Sequence, residues 1–351
     1  MEYVIYNEEG KKVDILQNTT SIQWMPRYND TGTFEIHTKP TESNKEYLII
    51  GSRIVNQSTE EIGFIKEVNQ TQDDDGQEEI EVRGEMDNLD QRINIKLFKI
   101  STIAMSLMQL VLNNRRGLEI QMGDMPLIND KYDPPKETTW DELRTTYQEV
   151  CQEKGIGYQM MRRNKVLNVL EIYKNGINEK VKFSDDLGNI IAQSYLKSIE
   201  SFKNYAYVCG EGEGTERVVV EIDLTNGGPR YELYVDARNV SKTYTDANGN
   251  EQTYTDEEYQ NVLRDYGLSK LLEYQETNEF EVEIKESDTL FTLNKDYFMG
   301  DVIKTESKKY GLLKYFRISG VNYIQEIDSK VELVLTDYET EQSQILLKGG
   351  K

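Results

Sequence analysis

A glycine-rich loop at residues 208–217 is the first stretch of this sequence whose residue types could do chemistry. Such loops cradle phosphates when their backbone N–H groups lie at the start of a helix. Here Glu211 and Glu213 alternate with three glycines, and their carboxylates would repel a phosphate. The residues that follow, RVVVEIDL, are rich in the β-branched types typical of a strand. The sequence therefore predicts a hairpin turn at this loop and no phosphate site.

The residues Asp30-Thr31-Gly32-Thr33 match the signature of the aspartic proteases, in which two such aspartates share a proton. A protease of this length should carry the signature twice, and the sequence contains it once. An apolar strand should also lead into the aspartate, whereas the polar stretch PRYN does so here. We therefore predict a turn that precedes the strand TFEIH.

A calcium-binding loop is the third candidate. Asp246, Asn248, Asn250 and Glu257 fall at positions 1, 3, 5 and 12 of such a loop. Position 6 needs glycine for a sharp turn, but it is Glu251, and no helix precedes the segment. A polar hairpin tip followed by a capped helix fits this stretch better than a calcium site.

The remaining reactive residues do not form a recognisable site. His37 is the sole histidine, and Cys151 and Cys209 stand far apart, outside any Cys-x-x-Cys arrangement. The many carboxylates include no pair that a spacing singles out for acid–base work. We therefore predict no catalytic residue, no cofactor and no metal ligand.

The charge balance excludes some classes of partner. The 351 residues contain 41 Lys and Arg against 63 Asp and Glu, a net charge of −22 that is spread along the chain. Nucleic-acid binding needs a basic stripe that neutralises phosphates, so no specific binding of this kind is expected. The sequence has no signal-peptide pattern and no run of about 18 apolar residues, which predicts no membrane insertion by this chain and synthesis in a reducing cytoplasm.

Strands dominate the predicted secondary structure. Most of residues 1–97 alternate apolar and polar types, which is typical of an antiparallel sheet with one wet face. Residues 155–173 are predicted to form a hairpin, and strands return over 181–235 and 279–338.

Three helices are predicted between these strands. The first covers 101–114 and begins at Ser101, and a connector that contains three of the six prolines, Pro126, Pro134 and Pro135, follows it. The second starts at Thr139 with Glu142 in a capping-box relation and ends at Gly155. The third starts at Thr255 with Glu258 in the same relation and runs to about Tyr274.

This order of elements predicts a mainly β protein of the α+β class, with two or three domains at about 150 residues each. The predicted segments are a first β domain at 1–97, to which strands from 181–222 could belong, an α+β domain at 98–180, a β-rich segment with one helix at 181–283, and a second β domain at 284–351.

The two ends of the sequence share one pattern of glycines and strands. The positions correspond at separations of 248 to 253 residues: Gly51 with Gly300, Gly63 with Gly311, Ile65 with Ile318, and Ile80 with Val331. A nearly constant separation of this kind predicts two copies of one β-meander.

An ordered set of stretches also resembles the baseplate hub, or tail-tip, proteins of long-tailed bacteriophages. The matching residues run through nearly the whole chain: Trp24, Arg27 and Tyr28 followed by GTFEIH, RGEMDNLDQRI at 83–93, VKFSDDLGNI at 181–190, FKNYAYVCGEGEGTER at 202–217, PRYELYVDAR at 229–238, and DYFMGDVI at 296–303 followed by FRISGV. Each stretch is weak alone, but the ordered set is fairly specific.

The resemblance implies a structural virion protein and not an enzyme. Members form a trimeric ring at the end of the tail tube, and each chain carries two β-barrel or sandwich domains similar to the tube protein. Six such domains would join a six-fold tube to a spike or fibre. The implied partners are two further copies of the chain, the distal tube ring, the tape measure protein and a spike or fibre protein, after synthesis in the host bacterial cytoplasm.

Three further expectations accompany this resemblance. Part of the acidic charge should line a passage through which DNA slides without sticking. Related hubs often continue into a cell-wall-cleaving domain or a fibre, whereas this sequence ends at LLKGGK. Any cleavage of the cell wall is therefore expected from another polypeptide. The alternatives are a hydrolase that uses a carboxylate pair on the cell wall, and a carbohydrate-binding module whose surface tyrosines recognise the host.

Overall fold

This computed structural model describes residues 1–123, 128, 130–245, 250–284, 290–339 and 341–342. They form two compact units, of which the first comprises residues 1–195 with the described residues from 279 on, and the second comprises residues 196–278. The division is coarser than the four predicted segments, whose boundaries stay a prediction. None of the helices in the described residues is long and apolar enough to span a bilayer.

The elements of the chain follow one another in a β-rich, mixed, β-rich order. The first are β1 (Tyr3–Tyr6), β2 (Lys12–Ile15), β3 (Thr19–Met25), β4 (Thr33–Thr38), α1 (Glu42–Tyr47), β5 (Arg53–Asn56), β6 (Ile62–Gln72) and β7 (Glu78–Glu85). A mixed segment contains β8 (Phe98–Thr102), α2 (Ile103–Asn114), β9 (Gln121–Met122), β10 (Lys131–Thr138), α3 (Leu143–Lys154), β11 (Gly157–Arg163) and β12 (Val166–Tyr173).

The later elements are again mostly strands. They are β13 (Ile177–Ser184), β14 (Ile190–Ser198), β15 (Tyr205–Cys209), β16 (Val219–Asp223), β17 (Glu232–Asp236), β18 (Thr243–Thr245), β19 (Glu251–Thr253), α4 (Asp256–Leu271), β20 (Thr277–Ile284), β21 (Val302–Ser307), β22 (Leu312–Gln325) and β23 (Ser329–Asp337). The predicted mainly β fold is confirmed.

One 13-stranded sheet dominates the first unit. Its hydrogen-bonded order is β14-β20-β23-β22-β3-β4-β7-β6-β5-β1-β2, and β21 joins β22 to β13 as a branch. Among the described residues no pairing closes this order into a ring. The single chain therefore has an open sheet and not the closed barrel that was one of the predicted forms. A continuous apolar core packs against the inner face of this sheet.

The two ends of this sheet repeat one topology. In the first repeat the strand order is β5-β6-β7-β4-β3, and in the second it is β21-β22-β23-β20-β14. The six residue pairs between β4 and β7 have the same register as the six between β20 and β23. Phe34 and Phe280 therefore occupy equivalent positions, and both are buried. The predicted duplication is present at the level of individual residue pairs.

The turn before each meander is also repeated. Gly51 and Gly300 have φ values of +91° and +89°, a backbone region that favours glycine. Their N–H groups donate to the carbonyls of Ile65 (3.3 Å) and Ile318 (2.8 Å). A β-bulge follows each of these isoleucines in its strand. A bulge bends a strand sharply, so both repeats bend at the same place.

One predicted correspondence is wrong. Gly63 lies opposite Ile54 in β5, and Phe316 lies opposite Ile303 in β21, so Gly63 corresponds to Phe316. Gly311 instead lies in the tight turn between β21 and β22, where its φ is +65°. Spacing alone matches Gly63 with Gly311, although only Gly311 makes the turn.

The repeats also differ. β1 pairs with β5 antiparallel, whereas β13 pairs with β21 parallel. The residues of the second unit interrupt the second repeat between β14 and β20, and α1 has no helical counterpart among described residues 290–301.

The repeats meet within the chain along one strand pair. β3 pairs antiparallel with the far half of β22 through Trp24 opposite Tyr323, Gln23 opposite Ile324, and Ile22 opposite Gln325. The same half of β22 still pairs with β23 on its other side. This junction makes a single sheet from the two repeats.

Helices α2 and α3 and the sheet of β11, β12 and β9 surround a second apolar core in the first unit. The hairpin predicted at 155–173 is confirmed by the antiparallel pair β11–β12. In the second unit, α4 packs on the sheet of β16, β15 and β17. The capping box predicted for α4 is present, because Thr255 and Glu258 exchange both bonds.

Three local predictions are wrong. Helix α2 starts two residues after Ser101, which instead lies in β8. Helix α3 starts after Glu142 without the predicted capping box, because Thr138 and Thr139 both bond the carboxylate of Asp141. Part of the predicted connector is strand β10, which pairs only with β8 among the described residues and therefore tolerates proline. Pro126 lies outside the described residues.

Candidate functional site

The 13-stranded sheet has one apolar face and one polar face. In β4, Phe34 and Ile36 point into the core, whereas Glu35 and His37 alternate with them on the other side. Strands β7, β20 and β23 alternate in the same way. The polar side, which we call the acidic face, carries Glu35, His37, Glu79, Glu81, Arg83, Glu279, Glu281, Glu283, Lys330 and Glu332.

The acidic face continues from the first repeat into the second. Gln23 in β3 lies opposite Glu35 in β4 and also opposite Ile324 in β22. Ile324 in turn lies opposite Lys330 in β23. Directly opposite residues share one face of a sheet, so a single surface spans both repeats.

A charged cluster lies at the centre of the acidic face in the first repeat. His37 Nε2 is 2.9 Å from Glu35 Oε1, and its Nδ1 is 3.3 Å from Glu79 Oε2. Arg83 Nε donates to the second oxygen of Glu35 at 2.8 Å, and Arg83 also contacts Glu81. The hydrogen bond from His37 lowers the pKa of Glu35.

This cluster also contains the group of described side chains that could share a metal ion, namely Glu35, His37 and Glu81. The guanidinium of Arg83 donates a hydrogen bond to Glu35 and contacts Glu81, so it already supplies the positive charge that a cation would bring. The geometry is therefore that of a surface ion-pair network, and the prediction of no metal ligand stays a prediction.

The environment of His37 predicts a shifted titration. Burial alone would lower its pKa, but hydrogen bonds to Glu35 and Glu79 outweigh burial and raise the pKa above the ordinary 6.5. We expect an NMR titration of this sole histidine to give a midpoint above 6.5. The stabilisation from the protonated ring should be complete below 6.5 and disappear as the pH rises through the folded-state pKa.

The controls for this titration are two glutamine variants. Glu35→Gln should lower the midpoint because it removes a charged partner, and Glu332→Gln in the second repeat should leave it unchanged. A midpoint at or below 6.5 in the unmodified protein would contradict the cluster.

The second repeat carries a similar excess of negative charge. Glu279, Glu281 and Glu283 alternate along β20. On the adjacent β23, Lys330 Nζ lies 2.7 Å from Glu332 Oε1, and this hydrogen bond raises the pKa of Lys330. One lysine cannot balance these carboxylates, so both repeats present a net negative surface.

The glycine-rich loop at 208–217 is the hairpin predicted from the sequence. It joins β15 to the antiparallel strand β16. The carboxylate of Glu211 accepts a bond from the Lys242 N–H (3.0 Å), and Arg217 donates to the carbonyls of Cys209 and Gly210. The loop's polar groups therefore bond to the protein itself.

The Asp30-Thr31-Gly32 stretch is likewise the predicted turn before β4. Asp30 accepts a bond from the Thr31 N–H (2.7 Å), and the Thr31 hydroxyl donates to Asp87 (2.6 Å). Asp87 is in turn paired with Arg144 at 2.9 Å. The stretch is therefore a turn held by hydrogen bonds, with an ion pair at the adjacent Asp87.

Part of the predicted calcium stretch lies outside the described residues, including Asp246 and Asn248. Of the rest, Glu251 lies in the hairpin strand β19, and Glu257 lies in the first turn of α4. For these residues the predicted hairpin and capped helix are confirmed. The two cysteines, Cys151 and Cys209, are unpaired and buried, and burial raises the pKa of Cys151.

A buried carboxyl group escaped the sequence analysis. Glu61 is 8% exposed, and it accepts bonds from the Trp24 indole N–H (2.7 Å) and the Thr59 hydroxyl (2.9 Å). Burial raises its pKa. It lines a cavity with Tyr173 and Tyr323, and Glu61 is the sole acidic residue among the described residues that line this cavity.

The fold is similar to those of solved tail proteins. The 43 kDa tail protein of prophage MuSo2 from Shewanella oneidensis matches 97% of this chain and 100% of its own, with a TM-score of 0.59 and 11% identity. A tail protein from Neisseria meningitidis MC58 matches 98% and 99%, with a TM-score of 0.57 and 12% identity. Prophage tail protein gp18 from Listeria monocytogenes EGD-e matches 99% and 98%, with a TM-score of 0.52 and 14% identity.

The sequence itself matches a family model over most of its length. No curated protein matches it. The model described as Siphovirus ReqiPepy6 Gp37-like protein matches residues 2–336. The resemblance predicted from the ordered stretches is confirmed. It belongs to the family of Siphovirus ReqiPepy6 Gp37-like proteins.

Proposed function

We propose that three copies of this chain form the hub at the tail tip and join the six-fold tail tube to a spike or fibre. The observation that carries this proposal is the duplicated sheet, in which β4 with β7 and β20 with β23 pair in one register. Three chains with two equivalent repeats each supply six similar surfaces to the tube and three identical chains to a three-fold spike.

The acidic face supports a role for this hub in DNA passage. It carries an excess of carboxylates in both repeats and continues across the junction of β3 with β22. If this face lines the lumen of the ring, its negative potential repels the phosphates of passing DNA and keeps the duplex from sticking. We therefore propose that β4, β7, β20 and β23 carry the acidic lumen that the composition predicts.

The proposed role is structural and not enzymatic. The three stretches that could do chemistry are a hairpin, a turn and a segment whose described residues form a hairpin and a capped helix. The proposed partners are the distal tube ring, the tape measure protein and a spike or fibre protein, with synthesis in the host cytoplasm before assembly.

The mass of the assembled protein tests this proposal. Native mass spectrometry of the purified chain should show a species of three chains, each of 40.8 kDa. A stable species of two or six chains, or a monomer at every concentration, would contradict the trimeric hub.

A further inference from the structure

Strand β14 ends the 13-stranded sheet with an open edge. It pairs with β20, and it has no strand on its other side among the described residues. Ile191 on this strand is 57% exposed. An edge strand with exposed apolar residues is a template for pairing with another chain.

The outer half of β6 is a second open edge. The pairing with β5 ends at Phe64, and from Lys66 to Gln72 the strand pairs with β7 alone among the described residues. The Asp73 N–H donates to the Gln77 carbonyl at the end of this pair. Because backbone groups alternate along a strand, those of Gln70 and Gln72 point away from β7.

The pairing of β3 with β22 inside the chain shows how these two open edges could pair between copies. β3 of the first repeat corresponds to β14 of the second, and β22 of the second corresponds to β6 of the first. Within one chain, β3 pairs with the outer half of β22. We propose that β14 of one copy pairs antiparallel with the outer half of β6 in the next copy. This inference depends on the proposed ring and adds the strand register that builds it.

The aromatic contacts fix the register of this pairing. Trp24 stacks on Phe34, with ring centroids 5.2 Å apart. Tyr195 packs on Phe280, which corresponds to Phe34, at 6.4 Å. Tyr195 of β14 therefore corresponds to Trp24 of β3.

The internal pairs can then be transferred to the contact between copies. Trp24 lies opposite Tyr323. Tyr323 corresponds to Gln70, because each comes five residues after the isoleucine that precedes the bulge and lies opposite the equivalent residue of β23 or β7. Tyr195 of one copy thus lies opposite Gln70 of the next. One step further along each strand, Ser194 lies opposite Thr71.

The direction of the backbone groups agrees with this register. In the internal junction, the Val321 N–H donates to the Pro26 carbonyl, so alternation also points the backbone groups of Ile22 towards β22. Gln193 corresponds to Ile22, and its carbonyl accepts a bond from the Tyr310 hydroxyl at 3.1 Å instead of a strand. A docking strand replaces this side-chain hydroxyl with a backbone N–H.

The charges on the two edges also permit the contact. The chain has a net charge of −22, so most surfaces of two copies repel each other. The positions that meet are neutral: Gln70, Thr71 and Gln72 on β6, and Gln193, Ser194 and Tyr195 on β14. Like charges directly opposite each other in a sheet are destabilising, and this register avoids them.

Cysteine cross-linking tests the register in the full chain. Thr71 and Ser194 are exposed. The bond from Asp73 to Gln77 implies that the backbone groups of Thr71 point towards β7, and the correspondence of β14 with β3 implies that those of Ser194 point towards β20. They would therefore form a non-hydrogen-bonded pair with Cα atoms about 4.5 Å apart, within disulfide reach. After mild oxidation, the double variant Thr71→Cys/Ser194→Cys should give covalent species that end at three chains on a non-reducing gel.

Two controls make this result specific. The unmodified chain should give no cross-link, because Cys151 and Cys209 are buried. The double variant Asn69→Cys/Ser194→Cys places the thiol two residues away on the same face, roughly 7 Å along the strand, and should cross-link poorly. If this variant cross-links better than the first, the register is wrong.

The mass of each variant under reducing conditions separates this inference from the proposed ring. A species of three chains without the Thr71–Ser194 cross-link would overturn the strand pairing and leave the ring. A monomer that never cross-links would contradict both. A covalent ladder beyond three chains would support the pairing and contradict the closed trimer.

A proline variant provides an independent readout. Gln70→Pro removes an N–H that points away from β7, so it keeps the bonds of β6 with β7 and blocks the docking strand. Added to the cysteine pair, it should abolish the cross-link while the far-UV circular dichroism stays unchanged. A cross-link that persists would overturn the inference.

Discussion

Replacing Trp24 with alanine is expected to lower the free energy of unfolding of the first unit by about 3–5 kcal/mol. The Trp24 ring is fully buried between Phe34 and Tyr3, with centroids 5.2 and 5.3 Å away. Gly63 makes room for it, since a Cβ there would lie 2.9 Å from the indole and closer still to Phe34. Alanine would leave a cavity at the centre of the sheet.

The loss of the indole N–H adds to this cost. Trp24 donates to the buried carboxyl of Glu61, which would keep only the Thr59 hydroxyl as a donor. A buried acceptor that loses a partner costs about 1–3 kcal/mol. We therefore expect the measured loss to lie in the upper half of the range.

Urea unfolding followed by circular dichroism measures this change, and the second tryptophan is the control. Trp140 is 69% exposed, so Trp140→Ala should change the free energy of unfolding by no more than about 0.5 kcal/mol. Equal losses in the two variants would contradict the placement of Trp24 in the core.

Replacing Arg317 with alanine is the second large effect, with an expected loss of about 3–5 kcal/mol. Arg317 is 3% exposed, and its Nε donates to both oxygens of the Glu341 carboxylate at 2.7 Å. Its Nη1 also donates to the carbonyls of Gly300 (2.6 Å) and Asn175 (3.1 Å). Alanine would leave a buried carboxylate unpaired and a turn without its anchor.

Two further variants separate burial of the charge from loss of the contact. Arg317→Met with Glu341→Leu removes both charges, so it should recover part of the lost stability in the same urea experiment. Arg238→Ala removes an exposed partner of Asp236 and should change stability far less than Arg317→Ala does. If the double variant is less stable than Arg317→Ala, the buried pair is not what stabilises this region.

Much of the fold could be predicted because local rules and packing agree. The alternation in TFEIH gives strand β4, and Thr255 with Glu258 gives the start of α4. The duplication was visible because Gly51 and Gly300 make the same left-handed turn, which few other residues tolerate. Features of this kind can be predicted because a single residue type at one position is enough to indicate them.

The repeats are hard to align because their cores fill the same space with different residues. The first repeat combines Trp24 with Gly63, whereas the second combines Tyr195 with Phe316. One large ring beside a glycine fills a volume similar to that of two smaller rings, so either combination can pack in the core. Sequence spacing therefore matched Gly63 to Gly311, although the strand register assigns it to Phe316.

The acidic face and the buried Glu61 could not be predicted from local sequence patterns. Alternation places Glu35 and Glu281 on the polar sides of their strands, but only the pairing of β3 with β22 joins the two sides into one surface. Glu61 belongs to no motif, and its role comes from a tryptophan 37 residues away in the chain. Contacts between distant segments decide both features.

Electron cryomicroscopy of the assembled ring would measure its rotational symmetry and so test the trimeric hub. We expect six similar repeats around one axis with true three-fold symmetry, because only alternate repeats carry the insertion between β14 and β20. Two repeats of one chain that occupy unrelated positions in the particle, or a ring with another number of chains, would contradict the trimeric hub.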